Sequence, residues 1–216
     1  QKYSDSKTAL FLSGGSTPKK LYEHLAQQES LRVGSVGMVD ERFGEKDHRN
    51  SNELMIRSAG LLEYFENQNV RFYPILQKDE NLENTALQYD EALRFIFKYF
   101  PKSVGILGIG EDGHTAGLPV DSEIIERINN DQSSLVSYYE LESYGKRITM
   151  NFQALSMLDL IIIMVLGQEK REALKSMFAD TSMASSRGGQ AVQVTIEEVP
   201  ARFYLKPKIA EKTILI

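Results

Sequence analysis

A short glycine-rich segment carries the residues best suited to acid–base chemistry in this chain. Residues 108–115 read Gly-Ile-Gly-Glu-Asp-Gly-His-Thr and directly follow the apolar run 104–107, which predicts a buried strand. The segment therefore presents one carboxyl group, Asp112, and one imidazole, His114, where a strand ends. Because ligands of open α/β sheets bind beyond the carboxyl ends of the strands, we interpret the pair as a candidate acid–base site. A purely structural histidine is the alternative.

The same glycines formally match the dinucleotide-binding pattern Gly-x-Gly-x-x-Gly. We discount that match because Glu111 and Asp112 lie inside the pattern, where they would repel a pyrophosphate. The segment also lies in the middle of the chain rather than in a first βαβ unit. A turn that directs Asp112 and His114 toward a ligand is the better interpretation.

A second segment, Ser-Gly-Gly-Ser-Thr-Pro at residues 13–18, suits the binding of an anion. It follows the apolar run 8–12, and we predict Thr17 as the N-cap and Pro18 as the first residue of a helix. Glycines let backbone N–H groups approach a phosphate closely, and the helix dipole adds partial positive charge. The candidate phosphate ligands are Gly14, Gly15, Ser16 and Thr17. An ordinary well-capped turn explains the same residues, and the P-loop spacing is absent.

Further charged residues lie at the ends of predicted elements. Asp40 and Arg42 directly follow the apolar run 36–39, Arg147 opens a later strand, and Lys170 follows another. The guanidinium of Arg42 fits a phosphate or a carboxylate, and Asp40 could orient it or bind sugar hydroxyls. Each charge alone could equally be a solvated surface residue. Together with the two glycine-rich segments, they predict a pocket with an anion-binding end and an acid–base end, as a small phosphorylated substrate requires.

The elements that must position these residues alternate between strands and helices. The predicted strands are 8–12, 36–39, 70–73, 104–109, 146–150, 158–166 and 212–216, and the predicted helices are 18–26, 52–62, 82–99 and 169–178. This alternation predicts an α/β fold: a doubly wound, mostly parallel sheet with helices on both faces, in a single domain spanning residues 1–216.

Composition limits the partners that we expect. The net charge of −5 and the absence of any run of basic residues argue against nucleic-acid binding. Without cysteine, disulfides, thiolate catalysis and cysteine-ligated metal are excluded. The run 158–166 is too short to span a membrane, and the polar N-terminus is no signal peptide, so we expect a cytoplasmic protein without a membrane partner. No ligand spacing supports a metal site from His48, His114 and carboxylates, and His24 is expected on a solvated helix face.

In order along the chain, these motifs resemble the signature of the 6-phosphogluconolactonases, a family within the glucosamine-6-phosphate isomerase superfamily. The matching segments are 13–18, 40–42, 51–52 and 108–116, followed by looser matches at 147–149 and 167–170. The related deaminases share the glycine loop and the Asp-Gly-His turn, but they usually have Tyr where Arg42 stands and Ile where Thr115 stands. Both positions favour the lactonases.

The resemblance implies a modified Rossmann-like fold and hydrolysis of 6-phospho-D-glucono-1,5-lactone to 6-phosphogluconate in the pentose phosphate pathway, without a cofactor. It implies that His114 acts as general base or as proton shuttle to the ring oxygen, and that Asp112 supports its charge and orientation. Arg42, Arg147 and Lys170 would hold the phosphate or polarise the lactone carbonyl, with no assignment among them. The expected partner is a phosphorylated sugar lactone, and the expected state is a monomer or weak homodimer. A glucosamine-6-phosphate deaminase/isomerase and a non-catalytic sugar-phosphate-binding protein are the alternatives.

Two departures from the family pattern are visible. After His-Thr-Ala the family usually continues with Ser-Leu-Phe-Pro, whereas this chain has Gly-Leu-Pro-Val at 117–120. We therefore expect a different pocket wall, and this difference motivates the non-catalytic alternative. The family usually has another helix, and often a strand, before residues 8–12, so N-terminal elements are expected to be missing.

Overall fold

The computed structural model describes residues 2–78, 80–179 and 194–216. The strands are β1 (Thr8–Leu12), β2 (Ser35–Met38), β3 (Asp40–Arg42), β4 (Arg71–Tyr73), β5 (Lys102–Gly108), β6 (Val136–Leu141), β7 (Gly145–Met150), β8 (Leu160–Met164) and β9 (Thr213–Leu215). The helices are α1 (Ser16–Gln28), α2 (Asn52–Ser58), α3 (Leu61–Asn67), α4 (Leu82–Tyr99), α5 (Ser122–Asn130), α6 (Phe152–Met157), α7 (Arg171–Phe178) and α8 (Pro207–Ala210). Short 3-10 helices cover Gln168–Lys170 and Pro200–Leu205.

The main sheet is parallel throughout, with strand order β4-β2-β1-β5-β8-β9. The chain builds outward from β1 in one direction and from β5 in the other, so the strand order reverses between these two central strands. Such a reversal leaves a crevice at the carboxyl ends of the strands. The mostly parallel α/β sheet predicted from the sequence is confirmed, whereas the single domain remains a prediction.

A second, antiparallel sheet was not predicted. It has the order β3-β7-β6, and it places Arg42 directly opposite Arg147. The predicted strand 146–150 is present as β7, but it pairs antiparallel with β3 and β6 and does not join the main sheet. It is the second arm of a tight hairpin, in which Gly145 has a φ of 68°. Val39 connects the two sheets, because its N–H donates to Leu12 (2.9 Å) while its carbonyl accepts from Met150 (2.8 Å).

Several helix boundaries also differ from the prediction. Helix α1 begins at Ser16, and its N-cap is Gly15 with a φ of 106°, so the predicted N-cap at Thr17 is wrong. The predicted helix 52–62 is two helices, α2 and α3, separated at Gly60, whose φ is 79°. The predicted helix 169–178 begins as a 3-10 turn and becomes α-helical at Arg171.

The buried core fixes the backbone segments from which the pocket residues extend. All five residues of β1 are buried, as expected for a central parallel strand. Tyr22 of α1 is fully buried, and its hydroxyl donates to the carbonyl of Ser13 at 2.9 Å. Tyr89 of α4 likewise donates to the carbonyl of Met38. These two tyrosines fix the backbone where β1 and β2 end, which is where the glycine loop and the β3 segment begin.

Candidate active site

All of the predicted site residues line one pocket of about 450 Å³ at the carboxyl ends of β1 and β5. They are Gly14, Gly15, Ser16, Thr17, Asp40, Arg42, Asp112, His114, Arg147 and Lys170. The pocket therefore lies where the strand order reverses. Residues from both sheets contribute, since Arg42 and Arg147 belong to the antiparallel sheet.

The anion-binding end is the start of α1. Gly15 supplies no side-chain cap, so the N–H groups of the first helical turn have no intrahelical or capping acceptor. Gly15 also has a φ of 106°, which favours glycine at this position. Ser16 and Thr17 follow in the first turn and line the same pocket. This arrangement suits a phosphate group, because the amides and the helix dipole both favour negative charge.

Asn52 joins the two charged residues that follow β2. Its side-chain amide donates to the Asp40 carboxylate (3.1 Å) and carbonyl (3.0 Å), and its oxygen accepts from Arg42 Nη1 at 2.6 Å. Asn52 is buried, and it packs so closely on Gly14 that a Cβ there would lie 1.9 Å from the Asn52 oxygen. Gly14 is therefore required by this contact rather than by its own backbone angle.

Hydrogen bonds to Glu41 hold Asn52 in place at the start of α2. The Glu41 carboxylate is only 1% exposed, and it accepts from the backbone N–H groups of Asn52 (2.7 Å) and Glu53 (2.9 Å) and from the hydroxyl of Ser51 (2.9 Å). The two N–H groups are orphan backbone donors at the start of α2. Burial raises the pKa of Glu41, and these hydrogen bonds oppose that rise. The Glu41 carboxyl group thus fixes Asn52, the residue that orients Arg42.

The positive charges surround a buried carboxylate. Burial raises the pKa of Asp40, and the nearby Arg147 and Arg42 oppose that rise. Burial and the like charge of Arg42 lower the pKa of Arg147, while Asp40 opposes that shift. Arg147 is anchored through its Nε, which donates to the carbonyl of Tyr144 at 2.9 Å. Lys170 adds a further cation from the 3-10 helix that follows β8.

The acid–base end is a hydrogen-bonded pair. His114 Nδ1 lies 2.6 Å from Asp112 Oδ1, which also accepts the backbone N–H of His114 at 3.1 Å. If Nδ1 carries the proton, a neutral His114 has Nε2 as a proton acceptor. Partial burial raises the pKa of Asp112, but hydrogen bonds from His114 and Tyr144 outweigh it, so the net pKa lies well below its usual range. Gly110 leaves room for the pair, since a Cβ there would lie 2.1 Å from His114 Nδ1.

The turn that carries His114 is anchored to the C-terminal part of the chain. Thr115 is fully buried, and its hydroxyl donates to the carbonyl of Gly108 (2.9 Å) and lies 2.7 Å from the hydroxyl of Tyr204. Gly113 has a φ of 97° and Ala116 a φ of 51°. The tight turn is thus held by side-chain contacts on the residue that follows the imidazole.

Sequence reasoning missed several residues that line the pocket. Ser13, Asn52, Tyr139 and Tyr144 were not predicted as site residues. Asn52 belongs to the Ser-Asn segment 51–52, which matches the family pattern. That match indicated that the segment matters but not what the Asn52 side chain does. The two tyrosines lie on the β6–β7 hairpin, which periodicity did not reveal, so no signal pointed to them. Among the described residues no group of three or more potential metal ligands lies together, and no helix there could cross a bilayer.

Fold and pocket together define an α/β protein with a polar ligand site at the switch point of a parallel sheet. A family model described as glucosamine-6-phosphate isomerases/6-phosphogluconolactonase matches residues 2–200. The chain belongs to this family, and the resemblance inferred from the motifs is confirmed.

Named relatives agree with this assignment. The chain is 34% identical over 179 residues to a 6-phosphogluconolactonase of Nostoc sp., which covers 79% of this chain and 71% of that protein. A 6-phosphogluconolactonase structure from Shewanella baltica is 25% identical, with a TM-score of 0.71 over 92% of this chain and 78% of that one. One from Plasmodium vivax shares the fold, with a TM-score of 0.74 at 21% identity over 96% of this chain and 77% of that one.

Proposed function

We propose that this protein is a lactone hydrolase that converts 6-phospho-D-glucono-1,5-lactone to 6-phosphogluconate in the pentose phosphate pathway. The observation that carries the proposal is the shared pocket, in which the start of α1 and three cations accompany the His114–Asp112 pair. The names of the relatives support the same reaction. We propose no cofactor for it, and a cytoplasmic location remains a prediction.

In the proposed mechanism His114 takes a proton from water at Nε2 while the water oxygen attacks the lactone carbonyl. The Nδ1–H group of the ring donates a hydrogen bond to Asp112, and the negative charge of Asp112 compensates the positive charge of the imidazolium. The bond between the carbonyl carbon and the ring oxygen then breaks, and the imidazolium returns the proton to that oxygen. Atoms and charges balance, because water becomes the acid hydroxyl and the hydrogen of the released alcohol.

Binding and charge stabilisation are divided along the pocket. The amides at the start of α1, with Ser16 and Thr17, are proposed to take up the phosphate. Arg42, Arg147 and Lys170 then neutralise the phosphate and the oxyanion that develops on the carbonyl oxygen. The demand is modest, since the lactone is an activated ester and each such contribution is worth roughly 10²-fold.

The test is to follow acid release from freshly prepared lactone with the purified protein. We expect a rate well above the uncatalysed background at neutral pH, and we expect His114→Ala to abolish it while circular dichroism stays unchanged. His24→Ala, in α1, is a matched control that should keep full activity. A wild-type rate equal to background contradicts the proposal. Ammonia release from glucosamine 6-phosphate would instead identify a deaminase/isomerase, and binding without turnover a sugar-phosphate-binding protein.

A further inference from the structure

Tyr144 touches both members of the acid–base pair. Its hydroxyl donates to Asp112 Oδ2, the carboxylate oxygen opposite the one that contacts His114. Its ring meets the imidazole of His114 edge-on, with ring centroids 5.7 Å apart and an interplanar angle of 86°. Asp112 is therefore held between the imidazole on one oxygen and the phenol on the other.

The position of Tyr144 is itself fixed by several contacts. Its hydroxyl accepts the N–H of Val120 at 3.2 Å, and its carbonyl accepts from Arg147 Nε at 2.9 Å. The residue lies in the β6–β7 turn, where its own N–H donates to Leu141 at 3.2 Å. The β6–β7 turn thus lines the pocket and is hydrogen-bonded, through Tyr144, to the segment that follows β5.

The hydroxyl of Tyr144 is suited to act as a permanent donor. Burial and the neighbouring Asp112 raise the pKa of Tyr144 to about 12, so the phenol stays protonated at neutral pH. Its only proton is directed to Asp112, which leaves none to donate to a substrate. These contacts indicate an action through Asp112 rather than on the substrate directly.

We propose that Tyr144 is a positioning residue that orients Asp112 and, through it, the imidazole of His114. This inference rests on the proposed function. By donating to Oδ2, the phenol draws negative charge away from the carboxylate, so Asp112 attracts a protonated imidazole less strongly. The edge contact keeps the imidazole ring from rotating.

Removing the hydroxyl tests this role directly. For Tyr144→Phe we expect kcat to fall about tenfold, as for loss of one hydrogen bond to a charged group, with KM nearly unchanged. The acid limb of the kcat/KM profile should move to higher pH, because Asp112 then attracts the protonated imidazole more strongly. Tyr138→Phe is the matched control, since Tyr138 lies on the same hairpin with an exposed side chain.

Other titratable or charged groups lie near the pair or Tyr144, and the variant leaves them in place. They are Asp40 on β3, the phenol Tyr139 on β6, Arg147 on β7 and Glu111 in the turn itself. A shift that appears in Tyr144→Phe and not in Tyr138→Phe therefore reports the lost hydroxyl. An unshifted profile in Tyr144→Phe overturns the proposal.

A double-mutant cycle tests whether Tyr144 acts through Asp112. Asp112→Asn removes the charged acceptor, so adding Tyr144→Phe to it should lower kcat much less than adding it to the wild type. Additive effects on kcat would show that Tyr144 acts by another route and would refute the proposed role.

A readout without substrate separates this inference from the proposed function. The chain has three histidines, so the imidazole resonances can be assigned by substitution and their titration followed by NMR. The His114 resonances should titrate at higher pH in Tyr144→Phe than in the wild type. An identical titration refutes the role of Tyr144 even if the wild type is an active lactonase. A shifted titration supports it even if lactonase activity is absent.

Discussion

Gly14→Ala should act entirely through the amide group of Asn52. A Cβ at this position would lie 1.9, 2.2 and 2.8 Å from the Oδ1, Cγ and Nδ2 atoms of Asn52, so the amide must move. The backbone of Gly14 itself does not require glycine, because its φ lies outside the left-handed region that Gly15 adopts. The substitution therefore breaks contacts between β3 and α2, which lie more than 20 residues away along the chain.

The magnitude follows from what the amide holds. The Asn52 side chain makes three hydrogen bonds, to the carboxylate and carbonyl of Asp40 and to the guanidinium of Arg42. With about 1 kcal/mol for each, Gly14→Ala should lower the free energy of unfolding by about 3 kcal/mol. Asn52→Ala removes the same bonds and should lower it by a similar amount. In the Asn52→Ala background no amide obstructs a Cβ at residue 14. The double variant Gly14→Ala/Asn52→Ala should therefore be about as stable as Asn52→Ala alone, which corresponds to an interaction free energy of about 2–3 kcal/mol between the two substitutions.

Urea unfolding followed by circular dichroism measures the four free energies of the cycle. Gly15→Ala is the control, because a Cβ there has room (3.9 Å to the nearest atom, in Pro18) but a φ of 106°. Its backbone strain, about 1–3 kcal/mol for a non-glycine residue in this conformation, should be the same with and without the Asn52 amide. If Gly14→Ala is as destabilising in the Asn52→Ala background as in the wild type, the steric argument is refuted.

Three further predictions concern the pocket. Ser16→Ala and Thr17→Val should raise KM for the lactone with little change in kcat, because phosphate contacts are nearly equal in the ground and transition states; a fall in kcat alone would contradict this. Lys170→Met should lower the affinity for inorganic phosphate measured by calorimetry, whereas Lys175→Met, on the exposed side of α7, should not. If Lys170→Met binds phosphate as tightly as the wild type, Lys170 does not bind the anion. Asp112→Asn should be less stable than the wild type at pH 7, because a carboxyl whose pKa is lowered in the folded state stabilises that state when ionised. The difference should shrink progressively as the pH falls below about 4, from the unfolded pKa toward the lower folded pKa. Urea midpoints at pH 7 and at several pH values below about 4 measure this, and a difference that stays constant over the acidic series would contradict it.

The parts of the site that lie on parallel strands were predictable. Buried parallel strands are nearly continuous apolar runs, so 8–12 and 104–109 were recognisable, and their ends placed the glycine loop and His114. The long helix 82–99 was also predicted with its observed bounds, from periodicity alone. These elements carry enough local signal to be identified without tertiary information.

The antiparallel sheet carried no comparable signal. Its strand β3 is three residues, Asp40–Arg42, two of them acidic, and it reads as a charged loop. It becomes a strand only because β7 pairs with it, a contact between residues more than 100 positions apart along the chain. Tyr144 was missed for the same reason, since its role depends on the turn that this pairing positions. The start of α1 was misplaced because Gly15 takes a left-handed φ, which made it the N-cap in place of Thr17.

The three cations that line the pocket, Arg42, Arg147 and Lys170, belong to a molecule whose net charge is −5. The net charge of the protein thus repels an anionic ligand, whereas the three cations in the pocket attract it. At physiological ionic strength, charges more than about 8 Å apart are largely screened, so the distant repulsion fades while the near attraction persists. Added salt should therefore slow ligand association far less than it does for proteins that steer their ligands with a large field of one sign.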